Sequence, residues 1–201
     1  EIPVSNNAAA DFQQWRDDRL MAHYAPVRGW CSLILHGQMP LTVVGTSNGQ
    51  SLLFPMEKVY EQFVGQGLRQ WLPTGTKFTP QAARHYLAKH RDQHWFQLRP
   101  DFLIEHDGRR VVADAKWKLL DAALDNGEQK YGLSQADFYQ LYAYGQKYLD
   151  GTGIMYLFYP KTSRFNVSLP PFHFNEQLQL LVVPFDLERE QPVPVCRLSL
   201  N

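Results

Sequence analysis

Cysteine is scarce in this 201-residue chain: Cys31 and Cys196 stand far apart, with no CxxC or Cys/His spacing around either. That excludes a disulfide framework, a zinc knuckle and a four-cysteine iron–sulfur cluster, and it reads as reduced thiols in a cytoplasmic protein. Charge of one sign is lacking as well. Twenty basic and twenty acidic residues cancel, so affinity for a polyanion has to come from local placement of charge. No apolar run reaches membrane-spanning length, and the amino end has no signal-peptide layout, so no membrane association is expected. The start on Glu1 rather than methionine is read as processing or as a piece of a longer protein. There is no glycine-rich phosphate loop, so the chain is not expected to bind GTP or a similar nucleotide itself. No serine sits in a nucleophile elbow, and there are no internal repeats or low-complexity tracts. What is present is 44% hydrophobic and 13% aromatic residues, enough for the core of one ordinary domain.

Periodicity then sets out the elements. Ser5 caps a predicted helix to about Ala25, and Cys31–Leu35 and Leu41–Val44 read as short strands. Pro55 stands in the first turn of a second helix, with Met56, Tyr60, Phe63, Val64, Leu68 and Trp71 at helical spacing. The stretch from Pro73 to Pro80 reads as a loop, and Gln81 to Asp92 as weakly helical. Two extended segments follow, Phe96–Glu105 and Arg110–Leu120, joined by the hairpin signal Asp107-Gly108. After a polar stretch turning at Asn126-Gly127, Ser134 caps a helix to about Leu149. An apolar strand, Gly153–Tyr159, comes next, then strands near Arg164–Leu169, Gln177–Asp186 and Val193–Leu200. The order fits an α/β domain with a mixed β-sheet flanked by helices. Residues 1–50 form a lead-in and 51–201 the main domain.

The chemistry concentrates at Arg99-Pro100-Asp101 and, past the hairpin turn, Asp114-Ala115-Lys116. Side chains alternate along a strand, so Asp114, Lys116 and Lys118 are expected on one face, and Val111, Ala113, Ala115 and Trp117 on the other. Two acids and a lysine beside an apolar face suit phosphodiester hydrolysis, which needs a cation on the phosphate and an activated water. Mg²⁺ takes hard oxygen ligands and keeps several waters. Asp101 and Asp114 supply two carboxylates, the Ala115 carbonyl a third oxygen, and Lys116 a charge beside the attacking water. An exposed strand carrying an Asp–Lys pair is the plain alternative, and the strand pattern alone does not separate the two. Glu128-Gln129-Lys130 has the same acid-x-Lys form but lies in a turn-rich stretch.

Two helices add candidates. Asp137, Gln140 and Tyr144 share a face; the Gln offers a donor to a phosphate and the Tyr a ring on which a base can rest. Glu61 offers a third carboxylate, although its spacing alone equally describes a solvated surface residue. His90 and His94 lack the glutamate of an HExxH zinc site, and the basic residues around them read as a wet or DNA-facing segment.

At these residues the chain resembles the PD-(D/E)xK nucleases, and among them the RecB-like branch, whose QxxxY motif matches Gln140-Leu-Tyr-Ala-Tyr144. More narrowly it is similar to the McrC nuclease subunits of McrBC restriction systems, which act on DNA carrying methylated cytosine. Four blocks carry the likeness: Leu52-Leu-Phe-Pro-Met-Glu-Lys-Val-Tyr-Glu-Gln-Phe-Val64, Arg99-Pro-Asp101, Asp114-Ala-Lys-Trp-Lys118, and Ser134-Gln-Ala-Asp-Phe-Tyr-Gln-Leu-Tyr-Ala-Tyr144. With Leu157-Phe-Tyr-Pro160 they span roughly residues 50–160, and Pro55 replaces an expected aspartate. The resemblance implies a restriction-endonuclease-like fold. It implies metal ligation by Glu61, Asp101, Asp114 and the Ala115 carbonyl, with Mg²⁺ as cofactor and Mn²⁺ as a substitute. Asp101, Asp114 and Lys116 are then catalytic, and Lys118, Gln140 and Tyr144 meet DNA. It also implies an McrB-like GTP-hydrolysing AAA+ motor as partner. Two other readings remain: a nuclease-fold module that binds DNA or a motor without cutting, and a RecB-like exonuclease.

Overall fold

The computed structural model describes residues 55–193, together with Ala10, Val27, Arg28 and Cys31. The chain divides into two compact units, 1–54 and 55–201, and the second carries the fold below. The helix expected over Ser5–Ala25 and the strands over Cys31–Leu35, Leu41–Val44 and Val193–Leu200 fall outside the described residues. Of those spans only Ala10 and Cys31, both helical, and Val193, which is in no strand, are described.

Helix α1 runs Met56–Trp71 with Pro55 as its N-cap, where a missing N–H costs nothing. Its buried stripe of Tyr60, Val64 and Leu68 repeats every fourth residue. The strands are β1 (Lys77–Pro80), β2 (His85–His90), β3 (Gln93–Leu98), β4 (Phe102–His106), β5 (Arg109–Ala115), β6 (Gly153–Pro160), β7 (Phe172–His173), β8 (Leu178–Asp186) and β9 (Gln191–Pro192). Helix α2, Gln135–Tyr148, lies between β5 and β6. The main sheet has the order β1-β4-β5-β6-β8-β7, with β9 beside β8. β4 and β5 form the expected Asp107-Gly108 hairpin. β5, β6 and β8 run parallel, so α2 is the crossover that parallel neighbours require. The sheet is therefore mixed, as expected.

Two cores sit on its two faces. Val111, Ala113 and Ala115 of β5 pack with Tyr60, Val64 and Leu68 of α1. Val112 of the same strand packs with Leu141, Tyr144 and Tyr148 of α2. The alternation read from the sequence thus holds as far as Ala115, where the strand ends. Beyond it the chain turns, with Lys118 N–H donating to the Lys116 carbonyl at 3.0 Å, so Lys118 is exposed and off the strand.

Four expectations are corrected. Pro73–Pro80 is not all loop: Lys77–Pro80 pairs with Phe102–Glu105 as an edge strand, and Phe78 stacks on Phe102 with centroids 5.4 Å apart. Gln81–Asp92 is not helical: β2 pairs with β3 in a separate two-stranded ribbon. Its turn is Arg91-Asp92, at φ 44° and 63°, a left-handed turn made without the Asn-Gly that usually signals it. Phe96–Glu105 is two strands in two different sheets, parted at Arg99–Asp101. Arg164–Leu169 is irregular; its apolar residues Phe165 and Leu169 are buried anchors in the α2-side core.

Candidate active site

Each side chain at the site is delivered by the end of an element. Asp114 comes from the last turn of the β5 pleat, on the α2 side, and is 1% exposed. Asp101 stands one residue before β4, and its Oδ2 accepts the Ala115 N–H at 2.9 Å. That bond ties the two acid-bearing strands together. Lys116 Nζ lies 2.6 Å from Asp114 Oδ2 and 4.0 Å from Asp137 Oδ1. The closer contact is a short ion pair with buried Asp114.

Helix α2 braces this arrangement. Lys116 Nζ donates to Gln140 Oε1 at 3.2 Å, Gln140 Nε2 to the Tyr144 hydroxyl at 2.8 Å, and that hydroxyl to the Arg99 carbonyl at 3.0 Å. A Gln and a Tyr four apart thus hold the lysine at one end and the strand entering Asp101 at the other. This corrects the idea of an aromatic platform: the Tyr144 ring is 2% exposed within the α2-side core, and only its hydroxyl serves the site.

On the α1 side, Glu61 is joined to Asp101 by Gln81. Gln81 Nε2 donates to Glu61 Oε1 and, at 3.1 Å, to Asp101 Oδ1, while its N–H donates to the Asp101 carbonyl at 2.8 Å. Gln81 does this at φ 48°, a left-handed conformation that is uncommon outside glycine. A groove of about 460 Å³ runs from Glu61 and Gln81 along α1 to Arg69.

A family description, the McrBC 5-methylcytosine restriction system component, matches residues 1–160. The chain belongs to that McrBC family. Among solved structures it is similar to a chain of the tetradecameric assembly of Thermococcus gammatolerans McrB AAA+ hexamers with bound McrC. The TM-score is 0.54 at 16% identity, over 94% of this chain and 39% of that one. The likeness is one of fold, and this chain spans well under half of its neighbour's length. No curated protein matches it.

In this McrBC-family chain burial dominates the electrostatics of the two acids. Burial pushes the Asp101 carboxyl up to about 8, with the charge of Asp114 adding to it. Asp114 is raised too, again first by burial, with the Lys116 charge opposing. For Lys116 burial acts downward, but Asp114, Asp137 and Asp101 outweigh it and hold the ammonium above its ordinary value. The neighbouring acids thus favour the charged form of Lys116.

Two adjacent hard-oxygen acids, Asp114 buried and Asp101 half-buried, fit a hard divalent cation completed by carbonyl and water oxygens. Glu61 is one step removed. Among the described residues no group of three or more His, Cys, Asp or Glu side chains gathers closely enough to hold a metal. Gln81 bridges Glu61 and Asp101 through its side-chain amide. Nothing in the local sequence pointed to Gln81; it became visible only when β1 brought it beside Asp101. Partners of this kind typically tune metal affinity by about 10- to 100-fold. Gln81→Ala should weaken Mn²⁺ binding by calorimetry within that range, and unchanged affinity would remove Gln81 from the site.

The raised acid also sets a pH dependence. A carboxyl whose folded value lies above its unfolded value of 3.8 favours the fold below the unfolded value and loses that contribution as pH rises through about 8. Without metal, the melting temperature should fall between pH 5 and pH 8.5, at up to ~1.4 kcal/mol per pH unit for one group. The Asp101→Asn variant should lose most of that slope. Parallel slopes in both proteins would show that Asp101 titrates normally.

Proposed function

We propose that this chain is the DNA-cleaving part of an McrC-like subunit, hydrolysing the phosphodiester backbone with a divalent cation at Asp101 and Asp114. The observation that carries the reading is the convergence of buried Asp114, half-buried Asp101 and the Lys116 ammonium at the end of β5. Its support is the family membership together with the brace that holds Lys116 and Asp101 in register. Mg²⁺, or Mn²⁺ in its place, would be held by Asp101, Asp114 and the Ala115 carbonyl, with Glu61 reaching it through water. When bound, the ion supplies charge neutralisation at the phosphate and a water of lowered pKa.

The chain's own residues do the rest. Lys116, kept protonated, turns from Asp114 toward a phosphate oxygen and stabilises the negative charge that grows there. Asp137 and Gln140 limit how far the lysine can wander. Tyr144 fixes the Arg99 carbonyl and so the approach of Asp101. Lys118, exposed beyond the strand end, is placed for a backbone phosphate on the DNA. The choice of modified site and the delivery of DNA are assigned to an AAA+ partner. That assignment rests on the neighbouring assembly of McrB hexamers with bound McrC and on the neutral charge of this chain.

The loose grouping of Glu61 favours a second reading, a module that keeps the fold but no longer cuts. Nicking of closed circular plasmid in Mn²⁺ against EDTA separates the two and also tests an exonuclease, which cannot start on a closed circle. Metal-dependent nicking supports the proposal. Absence of nicking together with absence of Mn²⁺ binding by calorimetry leaves the inactive module.

A further inference from the structure

Among the described residues the β2–β3 ribbon is paired with no other strand, and neither of its strands contains a buried residue. An isolated two-stranded ribbon is marginal in water, so this one depends on its root. There the Tyr148 hydroxyl accepts the Arg84 N–H at 3.1 Å and faces the carbonyls of Ala82 and, at 2.9 Å, Leu98. His85 packs edge-on against the Tyr148 ring, with centroids 4.5 Å apart. The neck is closed by the Gln81 N–H bond to the Asp101 carbonyl. The ribbon therefore springs from between two residues of the candidate active site.

Its composition departs from the chain's neutrality. Between residues 84 and 99 stand Arg84, Lys89, Arg91 and Arg99, against the single acid Asp92. Toward the tip it exposes rings: Trp95 is 46% and Phe96 67% exposed, with centroids 6.1 Å apart, and His90 packs against Trp95 at 5.6 Å. Phe96 holds a left-handed backbone, φ 59°, which turns a large apolar ring outward with no core to reward it. Cations interleaved with exposed rings are the chemistry of nucleic-acid contact. Six-residue strands extend about 20 Å at about 3.3 Å per residue, which matches about six base pairs of duplex. A two-stranded ribbon also fits the major groove, about 12 Å wide.

We propose that the β2–β3 ribbon is a DNA-gripping arm. It lies in the major groove of the duplex beside the phosphate held at Asp101 and Asp114, with Lys89 and Arg91 on backbone phosphates and Trp95 and Phe96 against the groove wall. The arm rests on the DNA-cleaving reading for its substrate, but its contacts are separate from the cutting residues.

The test is fluorescence anisotropy of the 201-residue chain with a labelled duplex of about 30 base pairs, in EDTA and about 50 mM salt. Wild type is compared with Lys89→Glu/Arg91→Glu, with Trp95→Ala and with Asp114→Asn. All the ribbon residues changed are exposed, and thermal melting confirms that the variants fold. The arm predicts about 10-fold or greater loss of affinity in the double charge reversal. It also predicts a salt dependence shallower by about 2 in log–log slope, one unit per lost phosphate contact. Trp95→Ala should weaken binding without changing that slope, and Asp114→Asn should bind at least as well as wild type. Affinity within twofold of wild type in both ribbon variants overturns the arm, and would leave the ribbon to a protein partner. Wild type that binds no duplex at low salt overturns it as well. Loss of binding in the ribbon variants alongside no plasmid nicking and no Mn²⁺ binding would keep the arm and reject the cutting.

Discussion

Asp114→Asn should abolish metal-dependent plasmid nicking, by ~10³-fold or more, and leave a folded protein. The size follows from what the residue supplies. Lewis-acid stabilisation of a phosphate is worth several kcal/mol, and each ~1.4 kcal/mol is tenfold in rate. Asparagine keeps the volume of a side chain that is 1% exposed but removes the charge that would hold a cation. The shape of the β5 end should survive, because Ala115 N–H still bonds Asp101 and Lys116 retains Gln140 and Asp137. Removing Asp114 also removes one of the charges that raise Asp101. The rise in melting temperature on adding Mn²⁺ should disappear with the activity. Nicking that persists in this variant would place the chemistry elsewhere.

Gly67→Ala should be the most damaging single methyl in the fold. A Cβ at Gly67 would lie 2.1 Å from the Glu190 carbonyl oxygen and 2.8 Å from Phe185 Cζ. The first obstacle is backbone, so no rotamer change relieves it. Helix α1 or the turn after β8 must shift, at about 3 kcal/mol, which lowers the melting temperature by about 6–12 °C. Because α1 carries Glu61, the shift should reach the metal site too. Gly127→Ala is the contrast: nothing lies within 4 Å of its added methyl, and stability should stay level or rise slightly. Equal melting temperatures for the two variants would mean that the α1 packing gives way easily.

The sequence was most legible where one residue's neighbours in space are its neighbours in the chain. The α1 stripe, the Asp107-Gly108 hairpin and the alternation of Val111 to Ala115 all follow from local periodicity, and together they place Asp114 at the end of β5. Legibility failed where pairing is remote or the turn chemistry unusual. Lys77–Pro80 becomes a strand only because β4 lies beside it, and Arg91-Asp92 makes a left-handed turn without a glycine. Tyr144 is the misjudged residue: its spacing sets it with Asp137 and Gln140 on a polar face, whereas it is buried in the apolar stripe of α2 with Leu141 and Tyr148. Gln81 was invisible because its function depends on Glu61 and Asp101, each 20 residues away.

The closed neck between Gln81 and Asp101 has one more consequence. Because the ribbon is tied only at its root, by the Gln81–Asp101 backbone bond and the Tyr148 hydroxyl, residues 86–97 can be lengthened, shortened or exchanged at a cost that grows only slowly with length. The Asp101–Asp114 cluster then stays fixed while the ribbon surface is free to diverge. With the ribbon as the proposed grip, it can evolve, or be engineered, as an interchangeable tool on a constant handle.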